Sequence, residues 1–316
     1  MTERLKIGIS ACLLGHNVRY NGGHTRDHFL TDTLGRFVTW VPVCPEVECG
    51  MPVPREAIRL VGDPENPGLM TIKTKKDMTG QMKNWAASRI DELEKEDLCG
   101  FIFKKNSPSC GMASVKVYTE QGMPSKRGVG IWARMFMDRF PILPVIDEGR
   151  LHDPALRENF IEHIFVFKRW RDLTDAGKTR GGLVDFHTRH KLLIMAHSQK
   201  HYREMGKLVA DSTSRPIDEL YAVYAERLNA ALRLRATTRK NLNVLMHIMG
   251  YFKKNLSSDE KQELLEIFDQ YKKEYLPLIV PVTLLNHYAK KYNQLYLKSQ
   301  VYLNPHPAEL GLRNHA

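Results

Sequence analysis

Hydrophobic and polar positions divide the chain into two stretches of different rhythm. In the first, short apolar runs alternate with amphipathic segments. Leu5–Ser10 (LKIGIS) reads as a strand, and Arg36–Val43 (RFVTWVPV) as a second with Pro42 near its end. From Thr79 to Asp97, Met82, Trp85, Ala86, Ile90 and Leu93 fall three or four apart, which predicts an amphipathic helix with Thr79 as N-cap. Phe101–Lys104 is a third strand and Val115–Tyr118 a short fourth. A helix over about Gly130–Arg139 leads to a strand at Ile142–Ile146, and Asp153-Pro154 opens a helix running to about Trp170. Strands separated by helices imply an α/β domain with a mostly parallel sheet and flanking helices.

Beyond residue 172 the rhythm is helical, so an all-α C-terminal domain follows. The glycine-rich TDAGKTRGGL places a linker at 173–183, between domains at 1–172 and 184–316. One long helix is expected over Asp185–Ala210, a second from Arg215-Pro216 to about Leu234, and a third over Thr238–Asn255. Ser257 with Glu260 forms a capping box opening a fourth, and Val282–Ser299 is the last. The tail, with two prolines, is expected to be irregular. There is no internal repeat.

Composition changes this picture mainly through charge. The net charge is +11, with 25 Lys+Arg against 22 Asp+Glu in residues 1–172 and 22 against 14 in 173–316. A basic helical half suggests a polyanionic partner, although solvated helix faces would give the same count. It interleaves bases with aromatics at Lys200-His201-Tyr202-Arg203, Tyr251-Phe252-Lys253-Lys254 and Tyr288-Ala289-Lys290-Lys291-Tyr292. Aromatics at helical spacing more often belong to a core. His187, His190, His197 and His201 lack cysteine or carboxylate partners at metal-ligand spacing, so they are expected to be solvated or to face phosphate. The apolar stretches, such as Phe136–Val145, are broken by charges and prolines and too short to span a bilayer, and the opening MTERLKIGIS lacks a signal-peptide pattern. A cytoplasmic protein with no membrane partner is the expectation; the oligomeric state is left open.

Five cysteines in a reducing compartment read as thiols or ligands, and no C-x-x-C pair is present. Their positions relative to the strands carry the argument. Cys12 follows the first strand, Cys44 ends the second, and Cys110 lies in the loop after the third. Loops at the carboxyl ends of parallel strands share one crevice, so these three thiols can converge on a soft metal centre with an open position. Cys99 precedes its strand and belongs at the opposite end, whereas Cys49 is close enough to Cys44 to be a further ligand or a bystander. Glu46 is a candidate acid/base group and Ser107 a candidate hydrogen-bond donor to a reacting group.

Ser10-Ala11-Cys12-Leu13-Leu14-Gly15 with Arg19-Tyr20-Asn21-Gly22, then Pro42-Val43-Cys44-Pro45-Glu46 and Ser107-Pro108-Ser109-Cys110-Gly111, resemble the bacterial thiouracil desulfidase family. Asp185-Phe186-His187, His190-Lys191, Ala196-His197 and Asn304-Pro305-His306-Pro307 resemble the YbgA-like helical domain. Fused in this order, the two halves resemble desulfidases acting on 4-thiouridine in tRNA. The resemblance implies a [4Fe–4S] cluster held by Cys12, Cys44 and Cys110 with its fourth iron unclaimed, and catalytic roles for Glu46 and Ser107. It further implies a thiolated pyrimidine in the pocket and tRNA on the basic helical domain. Desulfidation of free thiolated pyrimidines and a non-catalytic, metal-containing RNA-binding protein are the alternatives. A tRNA thiolation enzyme would need nucleotide activation, and Gly128-Val129-Gly130 is too short for a dinucleotide-binding fingerprint.

Overall fold

The computed structural model describes residues 4–119 and 121–315. By its internal contacts the chain divides into two compact units, Met1–Asp153 and Pro154–Ala316.

The first unit contains, in chain order, β1 (Leu5–Ser10), β2 (Val38–Val43), α1 (Pro45–Glu48), β3 (Ile58–Val61), β4 (Gly68–Thr71), α2 (Thr79–Leu93), β5 (Gly100–Phe103), β6 (Val115–Tyr118), β7 (Pro124–Gly128), α3 (Ile131–Arg139), β8 (Val145–Asp147) and α4 (Glu148–Leu151). One sheet has the order β2-β1-β5-β8, with every pair parallel. Pro42 is accommodated because β2 lies at the edge, where a missing N–H leaves no ladder bond broken. Ile7, Ile9, Phe101 and Phe103 are fully buried, and Phe136 of α3 packs 4.6 Å from Phe101 and 5.7 Å from Phe103, ring centre to ring centre. Each such side chain removed from water contributes roughly 1.5–3 kcal/mol before entropy is counted.

A second, mixed sheet of order β4-β3-β6-β7 was not expected. Of its strands only β6 is legible in the sequence. β3 and β4 are four residues each, and β7 (PSKRG) is polar and mostly exposed, so no period-two pattern marks it. Thr79 begins α2 but does not cap it: Met78 stands at the cap, and the Thr79 hydroxyl accepts the Leu69 N–H at 2.8 Å, tying α2 to β4.

The second unit is helical: α5 (Pro154–Asp175), α6 (Arg180–His197), α7 (Gln199–Ala210), α8 (Ile217–Leu232), α9 (Thr238–Tyr251), α10 (Ser258–Lys272), α11 (Ile279–Lys291) and α12 (Leu295–Lys298), ending in three short 3-10 turns. The unit boundary falls at Asp153/Pro154 rather than in the glycine-rich segment. The helix from Pro154 therefore belongs to this unit, and residues 176–179 are a short turn between α5 and α6. The expected long helix over 185–210 breaks at Ser198, whose extended backbone (φ −157°, ψ 112°) ends α6 and whose side chain caps α7 by accepting the His201 N–H. Likewise α11 stops at Lys291, with α12 as a separate turn. The capping box at Ser257 and Glu260 forms as expected. No helix among the described residues is long and apolar enough to cross a membrane.

The histidines depart most from expectation. His187, His190 and His197 are buried rather than solvated or facing phosphate, and only His201 is half-exposed. His187 Nδ1 meets the Tyr224 hydroxyl at 3.1 Å, His190 Nδ1 the Phe186 carbonyl at 2.7 Å, and His197 Nε2 the Glu162 carboxylate at 3.2 Å. Their helix faces point into the core, which charge and spacing do not reveal.

Burial drives His163 and His190 down to about 3 and His187 down to about 4, so each stays neutral in the folded chain below the pH where the unfolded chain protonates it. Their contribution is present above pH 6.5 and is lost as pH falls. Glu158, pushed up to about 8 by burial and by the charge of Glu162, acts oppositely and gains stability as pH falls from 8. Burial lowers His306 as well, so four histidines outweigh one carboxyl and stability should drop between pH 6.5 and pH 5. Denaturant melts at these two pH values check this; equal midpoints would contradict it.

Candidate functional site

The carboxyl ends of β1, β2 and β5 deliver the three expected cysteines to one cavity of about 370 Å³. Cys12 sits in the 3-10 turn Ala11–Leu14 directly after β1. Cys44 follows β2 at the N-cap of α1. Cys110 comes from the 104–114 loop after β5. Glu46, Ser107, Arg19, Tyr20, Arg55 and Lys104 also line the cavity.

The Cys110 loop is pinned by the N-terminus of α3. The otherwise unpaired first N–H groups of that helix find loop carbonyls: Ile131 N–H donates to Pro108 O at 3.2 Å and Ala133 N–H to Ser109 O at 3.1 Å. This approach needs glycine at 130, because a Cβ there would lie 2.4 Å from the Ser109 carbonyl oxygen.

Glu46 is held from two sides. The Arg55 guanidinium forks onto Oε2, with Nε at 3.0 Å and Nη2 closer still, while the Ser109 hydroxyl donates to Oε1 at 2.7 Å. Arg55 is itself fixed by the carbonyls of Val18 (2.9 Å) and Pro52 (3.3 Å), and its side chain is only 5% exposed. Ser107 Oγ accepts the Cys110 N–H at 3.1 Å and lies 2.9 Å from Ser109 Oγ. Lys104 is paired with Glu148. Sequence reasoning missed Arg55 and Ser109. Ser109 lies inside the Ser107–Gly111 motif, but Arg55 lies in a loop without periodicity and carried no signal.

Cys49 resolves as a core residue. It does not line the cavity; its thiol approaches the Glu46 carbonyl at 3.4 Å, and it packs with Met51, Leu60, Leu69, Met78 and Met82. Cys99 lies before β5, away from the cavity lining, as its position implies.

Residues 7–148 match the family model described as 2-thiouracil desulfurase, and residues 191–307 match a model described as a protein of unknown function, DUF1722. The uncharacterized protein YbgA of Escherichia coli (strain K12) is 37% identical over 152 residues, 48% of this chain and 90% of that protein. The chain belongs to the YbgA family, with a 2-thiouracil desulfurase domain fused to the YbgA-like domain. The uncharacterized protein YbbK of Bacillus subtilis (strain 168) is 27% identical over 150 residues, 46% of this chain and 97% of that protein. Among solved structures, the [4Fe-4S]-dependent thiouracil desulfidase TudS aligns with a TM-score of 0.39 and 28% identity, covering 48% of this chain and 95% of that one.

Cys12, Cys44 and Cys110 share one cavity wall, and thiols are soft donors of the kind that suit a thiophilic metal centre. Burial pushes the Cys44 thiol up to about 11, and raises Cys12 and, well above the usual thiol range, Cys110. Buried thiolates of this kind form when a cation compensates them.

Proposed function

We propose that the chain is an iron–sulfur-dependent desulfidase that converts 4-thiouridine in tRNA to uridine. The observation that carries this reading is one cavity, in a 2-thiouracil desulfurase domain, lined by Cys12, Cys44, Cys110, Glu46 and Ser107 together. The three thiolates would hold a [4Fe–4S] cluster, which when bound supplies a thiophilic Lewis acid for the thiocarbonyl sulfur.

The remaining chemistry falls to the protein. The net reaction exchanges sulfur for the oxygen of water and releases hydrogen sulfide, so water must lose protons as it attacks the ring carbon. The Arg55 fork takes both lone pairs of Glu46 Oε2, but Oε1 keeps one beyond its bond from Ser109, so the carboxylate can take such a proton there as general base. Arg55 and Ser109 hold its plane fixed while it does so. Ser107, anchored by the Cys110 N–H, presents its oxygen to the pyrimidine.

The tRNA part of the proposal rests on the helical unit. Residues 173–316 carry a net +8, which favours phosphate. Of the interleaved aromatics, Phe252 and Tyr288 are core, but Tyr251 is 39% exposed. It stacks on Tyr296 at 5.1 Å, with the Lys191 ammonium 5.0 Å from the Tyr296 ring centre, an arrangement suited to an unstacked base.

The test is anaerobic purification, assay of iron and labile sulfide, and sulfide release from 4-thiouridine-containing tRNA and from free 4-thiouridine without ATP. Substantial iron and turnover on tRNA are expected. Turnover on the free nucleoside alone would move the substrate to free thiolated pyrimidines, and a colourless, inactive protein would favour a binding module. Tyr251→Ala is expected to weaken tRNA binding roughly tenfold.

A further inference from the structure

Tyr20 is fixed through its backbone, while its side chain is left unengaged. Its carbonyl accepts the Arg55 N–H at 2.8 Å. The turn around it is closed by Arg19 N–H to Gly23 O at 3.1 Å and Gly22 N–H to Arg19 O at 2.9 Å. Gly22 sits at φ +79°, a left-handed conformation that favours glycine. The Arg55 guanidinium donates to Val18 O while it forks onto Glu46, so one arginine places this turn and the carboxylate together. The Tyr20 side chain lines the cavity yet is 46% exposed, which puts it at the rim. Among the described residues its hydroxyl has no hydrogen-bond partner, and its ring meets no other ring, only the Arg19 guanidinium 5.8 Å from its centre.

Arg19 is unengaged as well. Of the basic side chains on the cavity wall, Arg55 pairs with Glu46, Lys104 pairs with Glu148, and Lys105 lies over Gly149 in α4. Arg19 has no carboxylate partner among the described residues. The rim thus offers an aromatic face and a guanidinium, whereas Cys12 and Cys110 below it are buried. A pyrimidine with its sulfur-bearing edge toward the thiols keeps a ring face for the wall and its sugar for the rim. An aromatic side chain suits the flat base. A guanidinium without a carboxylate suits phosphate, which it can meet with two parallel N–H groups. Base and phosphate together make a nucleotide.

We infer that Tyr20 and Arg19 form a pyrimidine-nucleotide subsite at the cavity rim, Tyr20 stacking on the base and Arg19 pairing with its phosphate. The subsite would select a nucleotide, free or within an RNA strand, over the bare base or nucleoside. Which edge of the base enters first rests on the desulfidase reading; affinity for a nucleotide that carries no sulfur does not.

Equilibrium dialysis of the anaerobically purified, iron-loaded full chain against uridine 5′-monophosphate, uridine and a uridylate trimer tests this, since none of the three is consumed. The monophosphate should bind roughly tenfold or more tighter than uridine, with the advantage shrinking as salt rises. Tyr20→Ala should weaken both roughly tenfold, and Tyr20→Phe, which keeps the ring, should bind as wild type. Arg19→Ala should cancel the advantage of the monophosphate and leave uridine within about twofold. Equal affinity for monophosphate and uridine, no binding of either, or wild-type affinity in Tyr20→Ala overturns the proposal. An Arg19→Ala protein that loses iron but keeps the preference for the monophosphate would assign Arg19 to the metal centre and overturn the phosphate contact. A trimer that binds at least as tightly as the monophosphate, with the same losses in the variants, identifies the ligand as part of a strand; a trimer that is excluded identifies a free mononucleotide. If thiolated substrates release no sulfur while these affinities hold, the desulfidase reading falls and the subsite stands.

Discussion

Glu46→Gln should lower sulfide release by about 10²–10⁴-fold, the range for loss of a positioned acid/base group, with iron content unchanged. Gln is the informative replacement because of Arg55. The Arg55 side chain is 5% exposed and spends its fork on Glu46. Alanine at 46 would leave a buried guanidinium without its counter-ion, and lost folding would be mistaken for lost catalysis. Gln keeps the length and one oxygen for the Arg55 fork, and its amide N–H can donate to Ser109 Oγ, so the guanidinium stays hydrogen-bonded although its counter-charge is gone. Turnover within a few-fold of wild type in a fully loaded Glu46→Gln protein would remove Glu46 as the base and shift attention to Ser107.

Arg313→Met should destabilise the helical unit by about 3–5 kcal/mol, the cost of leaving a buried charge without its partner. Arg313 is 4% exposed; Nη2 donates to Glu162 Oε1 at 2.6 Å, Nε to Glu158 Oε1 at 3.3 Å and Nη1 to the Tyr302 carbonyl at 2.7 Å. It ties the C-terminal tail to α5. Burial works against the Glu162 carboxylate, and the Arg313 charge, with the His197 hydrogen bond, more than offsets it and holds that group well below the usual range. Denaturant titration at pH 7 measures the loss. Adding Glu162→Gln to Arg313→Met should recover a good part of it, since the stranded charge is then gone. A single variant as stable as wild type would show that the tail is not held by this network.

The same residues show how far the sequence could be read. Alternating segments in 1–150 implied a parallel sheet, and a parallel sheet gathers its carboxyl-end loops at one rim. Cys12, Cys44 and Cys110 could therefore be assigned to one cavity from local pattern alone, and so could Cys99 to the opposite end of its strand. Glu46 and Ser107 were found because they sit two and three residues from those cysteines. The capping box at Ser257 was equally legible, being a contact within four residues.

What escaped depended on pairing between distant parts of the chain. The polar β7 is a strand because β6 lies beside it. Ser198 breaks a helix that propensity alone would continue. Cys49 faces the core, through the turn after α1, although its spacing left it eligible as a ligand. His187, His190 and His197 lie inside because three-dimensional packing chose which helix faces to bury. Arg55 reaches Glu46 from a loop without periodicity, and Ser109 bridges Glu46 and Ser107 only because α3 pins the 107–111 loop. Local spacing could thus set which residues come near the site; hydrogen-bond partners, protonation and burial are set by contacts far apart in sequence, and these only the folded chain decides.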